Sequence, residues 1–220
     1  MKKFGFTLAE VLTTLTVVGV VATLTLPNIM GKANTTAHAG PKLAKFATSF
    51  DQANISLMEA NSIDRISDLT TSVQTYIDEL GKYLKITSQT TVNDGNNKKI
   101  PTIILKDGTA AIIAYNPASI TDKTKPAYQQ KLGDIHVDID GIETTRGYGK
   151  DRFSFTLWND GSLRPKGAAG WDGTDASKPG GTDPSKSTHW KDKCPINGTV
   201  SDYSYCTGHI FENNLKILYK

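Results

Sequence analysis

Cysteine is scarce in this chain: its 220 residues hold two, Cys194 and Cys206. The neighbouring His189 and His209 do not fall at a paired-ligand spacing with them, which excludes a zinc site on that pattern. An excess of charge of one sign is lacking too. A formal net charge of +3 is too close to neutrality to argue for a nucleic-acid partner. The four histidines, His38, His136, His189 and His209, are scattered without a metal or triad pattern. Gly147-Tyr148-Gly149-Lys150-Asp151 lacks the upstream glycine and the Ser/Thr after lysine that a phosphate loop needs. No enzyme constellation stands out and no cofactor is expected.

What is present is unevenly distributed. The mean hydropathy is −0.34, yet much of the strongly apolar character lies near the start, where no charged residue occurs from Val11 to Gly31. At 1.5 Å per residue that run is long enough for a hydrocarbon core of about 30 Å. Lys2 and Lys3 precede it, in keeping with the positive-inside rule for an exported body. An ordinary secretory signal would be cut after the apolar run, but the residues around Pro27 offer no Ala-x-Ala site. Glu10 is an ionisable group beside the apolar run. It either marks a function with a partner, or sits in the first helical turn favoured by the dipole and reaching for the interface. Taken alone, Glu10 leaves those two readings level.

The combination is more specific. Gly5-Phe6-Thr7-Leu8-Ala9-Glu10, behind a short basic leader and ahead of a continuous apolar segment, resembles the processing signal of type IV pilins and type II secretion pseudopilins. The resemblance covers about the first thirty residues. It implies cleavage between Gly5 and Phe6 by a prepilin peptidase and N-methylation of Phe6. It implies that Glu10 pairs with the new amine of a neighbouring subunit. It further implies other pilin or pseudopilin subunits, an inner-membrane assembly platform and membrane lipid as partners. The expected localisation is a single-pass membrane protein before assembly, with the head extracytoplasmic, and then a pilus or periplasmic filament. Gly19 and Pro27 fall where many family members carry a glycine and a kinking proline.

The expected fold is α+β: a long N-terminal hydrophobic helix packed on a small antiparallel-sheet head. The expected organisation is a leader at 1–5, a transmembrane or filament-core helix at 6–30, the amphipathic half of the stem at 31–62, and a head at 63–220. Leu43, Phe46, Ala47, Phe50, Asn54, Leu57 and Met58 keep a 3.6-residue period, with a kink or break expected at Gly40-Pro41. A second helix is predicted over Asp64–Leu84. Thr102–Leu105 and Ala111–Tyr115, joined across Asp107-Gly108, predict a hairpin. Ile135–Ile139 and Phe153–Trp158 predict further strands, the latter turning at Asp160-Gly161. Residues 165–193 read as a long surface loop or a partly disordered insertion. The tail from Cys206 to Tyr219 regains apolar residues and should dock on the head.

Cys194 and Cys206 close a small loop if the body is exported and oxidised; two free thiols are the alternative. The family resemblance favours the loop, since many type IV pilins carry a C-terminal disulfide there. Asp138-Ile139-Asp140-Gly141, followed by Glu143 and Asp151, is a weak calcium candidate, because it lacks the alternating ligands and closing glutamate of an EF-hand loop. A strand end and turn is the alternative. The functional expectation is a structural subunit of a type IV pilus-like filament, with a type II secretion pseudopilin as runner-up. A signal-anchored extracytoplasmic binding domain is the third reading.

Overall fold

The computed structural model describes residues 8–9, 11–18, 39–93, 98–120, 122–142, 151–169, 189–194 and 203–215. The chain divides into two units, Met1–Ala37 and His38–Lys220. In the first, the described residues 8–9 and 11–18 are helical, and Leu8, Leu12, Leu15 and Val18 are exposed. The hydroxyls of Thr13 and Thr16 donate to the carbonyls of Ala9 and Leu12 at 2.7 and 2.8 Å, satisfying themselves within the helix. Gly5, Phe6, Glu10, Gly19 and Pro27 lie outside the described residues.

The second unit is built on one six-stranded sheet with every neighbouring pair antiparallel, in simple sequence order. Its strands are β1 (Ile86–Asn93), β2 (Lys99–Leu105), β3 (Ala110–Tyr115), β4 (Lys131–Asp138), β5 (Arg152–Trp158) and β6 (Leu163–Pro165). Two hairpins share one turn chemistry. Gly108 and Gly161 both sit at φ +83°, where a side chain would be strained, and each follows an aspartate. Asp107 accepts the N–H of Thr109 at 3.2 Å, and Asp160 accepts that of Ser162 at 3.0 Å.

Among the described residues the longest helix covers this sheet. α1 (Ala39–Asn61) buries Leu43, Phe46, Phe50, Ala53 and Leu57, a stripe at helical spacing. It meets Ile103, Ile113, Ile135, Val137, Phe153, Phe155 and Leu157 in a single core. Pro41 sits in the first turn, where its missing N–H costs nothing. Gly40 is buried against the backbone of Leu215, so close that a Cβ there would strike the Leu215 carbonyl. Ser62, at φ 52°, ends the helix, and the N–H of Ile63 returns to the Met58 carbonyl at 3.1 Å.

The predicted second helix divides into α2 (Ile66–Leu69) and α3 (Val73–Leu80). Thr70 is extended at φ −164°, and its carbonyl accepts the Tyr115 hydroxyl at 2.7 Å. Ser72 then caps α3 by accepting the N–H of Thr75 at 3.4 Å. Two short helices close the unit, α4 (Trp190–Lys193) and α5 (Cys206–Glu212). Ile210 of α5 is fully buried in the main core, with Phe211 edge-on to Phe155. Of the expected loop at 165–193, residues 170–188 lie outside the described residues.

The expected fold is corrected by this architecture. Among the described residues no helix is long and apolar enough to cross a membrane, so the long hydrophobic stem and the single-pass placement are withdrawn. The physical reason is visible in α1. Half its surface carries Lys42, Lys45, Gln52 and Glu59 and the other half seals the sheet, which suits a boundary between core and water. The six-stranded sheet is the principal element, not an appendage to a stem.

Candidate functional site

Three places gather chemically capable groups. The first lies where β4 ends and β5 begins. Asp138 closes β4 and Asp151 precedes β5, and the two strands are pinned there by the Ile139 N–H donating to the Asp151 carbonyl at 2.9 Å. Asp140 sits in the turn before Gly141, whose φ is +91°. This register brings carboxylate oxygens of Asp138, Asp140 and Asp151 within 4.8 Å of one another. Asp138 and Asp151 are buried, while Asp140 is exposed. Arg152 places Nη2 at 3.6 Å from Asp138 and offsets part of the charge. An all-oxygen set of this kind suits a hard divalent cation rather than zinc. The sequence put Asp138 and Asp140 forward with Glu143 and Asp151 after them, and the fold brings Asp151 beside the first two. Glu143 lies outside the described residues.

The second place is a clasp at the C-terminal end. Cys194, after α4, is joined to Cys206, which opens α5, with Cα atoms 4.9 Å apart. Glu212 is its hub. It accepts the indole N–H of Trp190 at 2.6 Å and the Ala169 N–H at 2.7 Å, and its Oε2 lies 3.2 Å from His189 Nε2. His189 Nδ1 accepts the backbone N–H of Lys191 at 3.3 Å, which leaves the ring proton on Nε2 to face Glu212. His209 packs edge-on against Trp190, ring centres 4.3 Å apart, and burial holds its imidazole below the ordinary value despite the nearby Glu212. His189 and His209 look unrelated in sequence, yet the clasp brings both rings against one tryptophan. The spacing from Glu212 back to Trp190 gave no local pattern from which this could be read.

The clasp is also stitched to the sheet. Ser154 donates its N–H to the Thr207 hydroxyl at 2.8 Å, and Gly208 donates to the Lys166 carbonyl at 2.8 Å. Gly208 meets the backbone of Gly167 and Ala168 so closely that no Cβ fits. These bonds tie the chain's own C-terminal segment to β5 and to the residue just after β6.

The third place is an open cleft of about 890 Å³ between α1, the segment after α3 and the β2–β3 turn. Phe46, Ala53, Leu84 and Leu105 line it, with Lys45, Lys82, Lys85 and Lys106 around them. Lys45 reaches Asp107 at 3.4 Å and Lys82 reaches Glu79 at 2.6 Å. Exposed lysines attract anions but fix no geometry for them.

One arrangement resembles a nucleophilic set in residue types. His136 Nδ1 and Ser154 Oγ lie 2.9 Å apart across β4 and β5, with Asp134 on the same strand face as His136. Ser154 is fully buried, and the Asp134 carboxylate accepts from Thr156 and Lys131 at 3.1 and 2.8 Å. The serine therefore presents no hydroxyl to a substrate. Burial holds the His136 imidazole below its ordinary value, with Lys166, Arg152 and Lys131 acting in the same sense and Asp134 against it.

Residues 45–220 match the model of a family described as a family of unknown function (DUF6613). No curated protein and no solved structure matches the chain. The family description assigns no activity and lends no support to the labels type IV pilin and pseudopilin, and the label transmembrane protein is withdrawn because, among the described residues, no helix is long and apolar enough to cross a membrane. By its matched span, which includes most of α1, the whole sheet and the C-terminal clasp, the chain belongs to the DUF6613 family.

Proposed function

We propose that this chain is a structural subunit of a type IV pilus-like filament, cut after Gly5 by a prepilin peptidase, N-methylated on Phe6, and assembled through its N-terminal segment. The observation that carries this reading is the sequence Gly5-Phe6-Thr7-Leu8-Ala9-Glu10 followed by the charge-free stretch Val11–Gly31. A glycine before the cut presents no side chain to a peptidase cleft. The freed amine is cationic, and Glu10 of a neighbouring copy neutralises it. Removing one half of such a buried pair costs several kcal/mol, which makes the pair a setter of register.

Two features of the described helical residues support the reading. Leu8, Leu12, Leu15 and Val18 are exposed, an apolar surface that calls for a covering partner. Thr13 and Thr16 return their hydroxyls to helix carbonyls and so tolerate burial between subunits.

Mass spectrometry of the mature N-terminus tests the proposal. A chain beginning at Phe6 and carrying one N-methyl group is expected. A chain beginning at Met1, or cut beyond Pro27, overturns it.

A further inference from the structure

The two edges of the sheet are treated very differently. β6 is three residues long and ends in Pro165, which has no N–H to offer. The Leu163 N–H is taken by Asp51 at 2.7 Å, and α5 bonds to the chain just beyond. That edge is closed by the molecule itself. β1, at the opposite edge, is eight residues long and carries neither charge nor proline. Its pairing with β2 is irregular only between Ile86 and Ser88, and is regular from Ser88 to Asn93. Among the described residues the backbone of 87–93 makes no hydrogen bond on its outer side.

β1 also projects from the body. β2 pairs with β3 only through Thr102, Ile103 and Ile104, whereas it pairs with β1 as far as Lys99. Pro101 marks the parting, because it has no N–H for the β3 side. The outer part of β1 and β2 is thus a two-stranded ribbon, and residues 87–91 are exposed throughout. Such a ribbon is marginal in water and gains from a third strand. Edges of this kind are ordinarily blunted by lysine, proline or a bulge, and Ser88–Asn93 has none.

We infer that β1 pairs antiparallel with β1 of a second copy of this chain, forming a two-fold head-to-head contact. Self-complementarity decides the occupant. A register centred on Thr90 opposes Gln89 to Thr91 and Ser88 to Val92, so no like charges meet and hydroxyl and amide groups face each other. The closed β6 edge rules out a head-to-tail continuation of the sheet, leaving the self-complementary arrangement, which closes after two copies. This contact goes beyond the N-terminal assembly signal, because it is made by the sheet.

The test uses the full chain with a photo-crosslinking phenylalanine analogue at Thr91, prepared as an equal mixture of isotope-labelled and unlabelled protein. Mass spectrometry of the digest is expected to find β1 peptides joined to β1 peptides, with mixed-isotope pairs proving that two copies are involved. Thr90→Lys should lower that yield up to about fivefold, because it opposes like charges at the centre. Thr90→Asp should do the same, and mixing the two variants should restore it. Crosslinks to another segment, to another protein or to none overturn the inference, as does a Thr90→Lys yield equal to wild type. Should Thr90→Lys fail to fold, Thr90→Arg takes its place under the same expectation. Wrong processing at Gly5 with an intact β1 crosslink sinks the filament reading alone; correct processing without the crosslink sinks only the edge contact.

Discussion

The phenol of Tyr76 donates to the side-chain carbonyl of Asn54 at 2.8 Å inside the core. Both residues are fully buried, and the Asn54 amide donates onward to the Gly161 carbonyl at 2.8 Å. One short chain of hydrogen bonds therefore ties α3 to α1 and α1 to the β5–β6 turn. Burial pushes the Tyr76 phenol far above its ordinary value, so it stays a donor across the accessible pH range. Tyr76→Phe leaves the Asn54 oxygen without its donor in a dry site and should cost about 2 kcal/mol. Urea denaturation of the two proteins measures this, and coincident midpoints would show that the bond contributes nothing.

Asp51 answers to pH in the opposite sense from most carboxylates. Burial raises it from 3.8 to about 6, with the Leu163 N–H working against the rise and the charge of Asp160 adding to it. A folded value above the unfolded one means stability that is complete below about 3.8 and lost as pH rises through about 6. Asp51→Asn keeps an oxygen for Leu163 and removes the charge. It should gain about 1 kcal/mol at pH 7.5, discounted for the partial exposure of the group, and nothing at pH 3.5. His136 and His209 pull the other way, since both are held below 6.5 and lose stability as pH falls through their folded values. Denaturation midpoints of wild type and Asp51→Asn against pH separate the contributions; parallel curves would remove Asp51 from the account.

The clasp joins Cys194 to Cys206 across a separation of 12 residues. A loop of that size stabilises by about 3 kcal/mol in the chain-entropy description. Replacing both cysteines by serine should lower stability by that order and loosen the packing of Trp190 against His209. Guanidinium denaturation followed by tryptophan emission reads both effects. A variant with unchanged midpoint and unchanged emission would show that the hydrogen bonds of the clasp hold it without the disulfide.

Glu10→Val should leave cleavage after Gly5 largely intact while impairing incorporation into filaments, because the amine of Phe6 then lacks its counter-charge. Comparing the processed fraction with the filament fraction checks this. Normal incorporation would refute the pairing role.

The elements legible in the sequence were those with a local cause. Asp107-Gly108 and Asp160-Gly161 announce their turns, because a glycine at positive φ behind an aspartate specifies a tight reversal. The stripe from Leu43 to Leu57 announces a helix that covers something. β1 was not foreseen: Ile86–Asn93 is polar on both faces, so it has no alternation to detect, and its β-branched residues Ile86, Thr87, Thr90, Thr91 and Val92 were the only signal. The continuous helix over 64–84 failed for a related reason. Its apolar spacing survives the break at Thr70–Ser72, while the Tyr115 bond that holds that break comes from a distant strand.

The sequence by itself determined the processing-like motif at Gly5, Phe6 and Glu10, the two aspartate–glycine turns and the apolar face of α1, since each depends on residues within a few positions of one another. Only the tertiary structure decided how close Asp151 comes to Asp138 and Asp140, that Glu212 gathers Trp190 and His189, and that β1 rather than β6 is the open edge. Those outcomes depend on strand register and on which segment covers which edge. They are set by burial and backbone pairing summed over the whole sheet, and no short stretch of the chain carries that information.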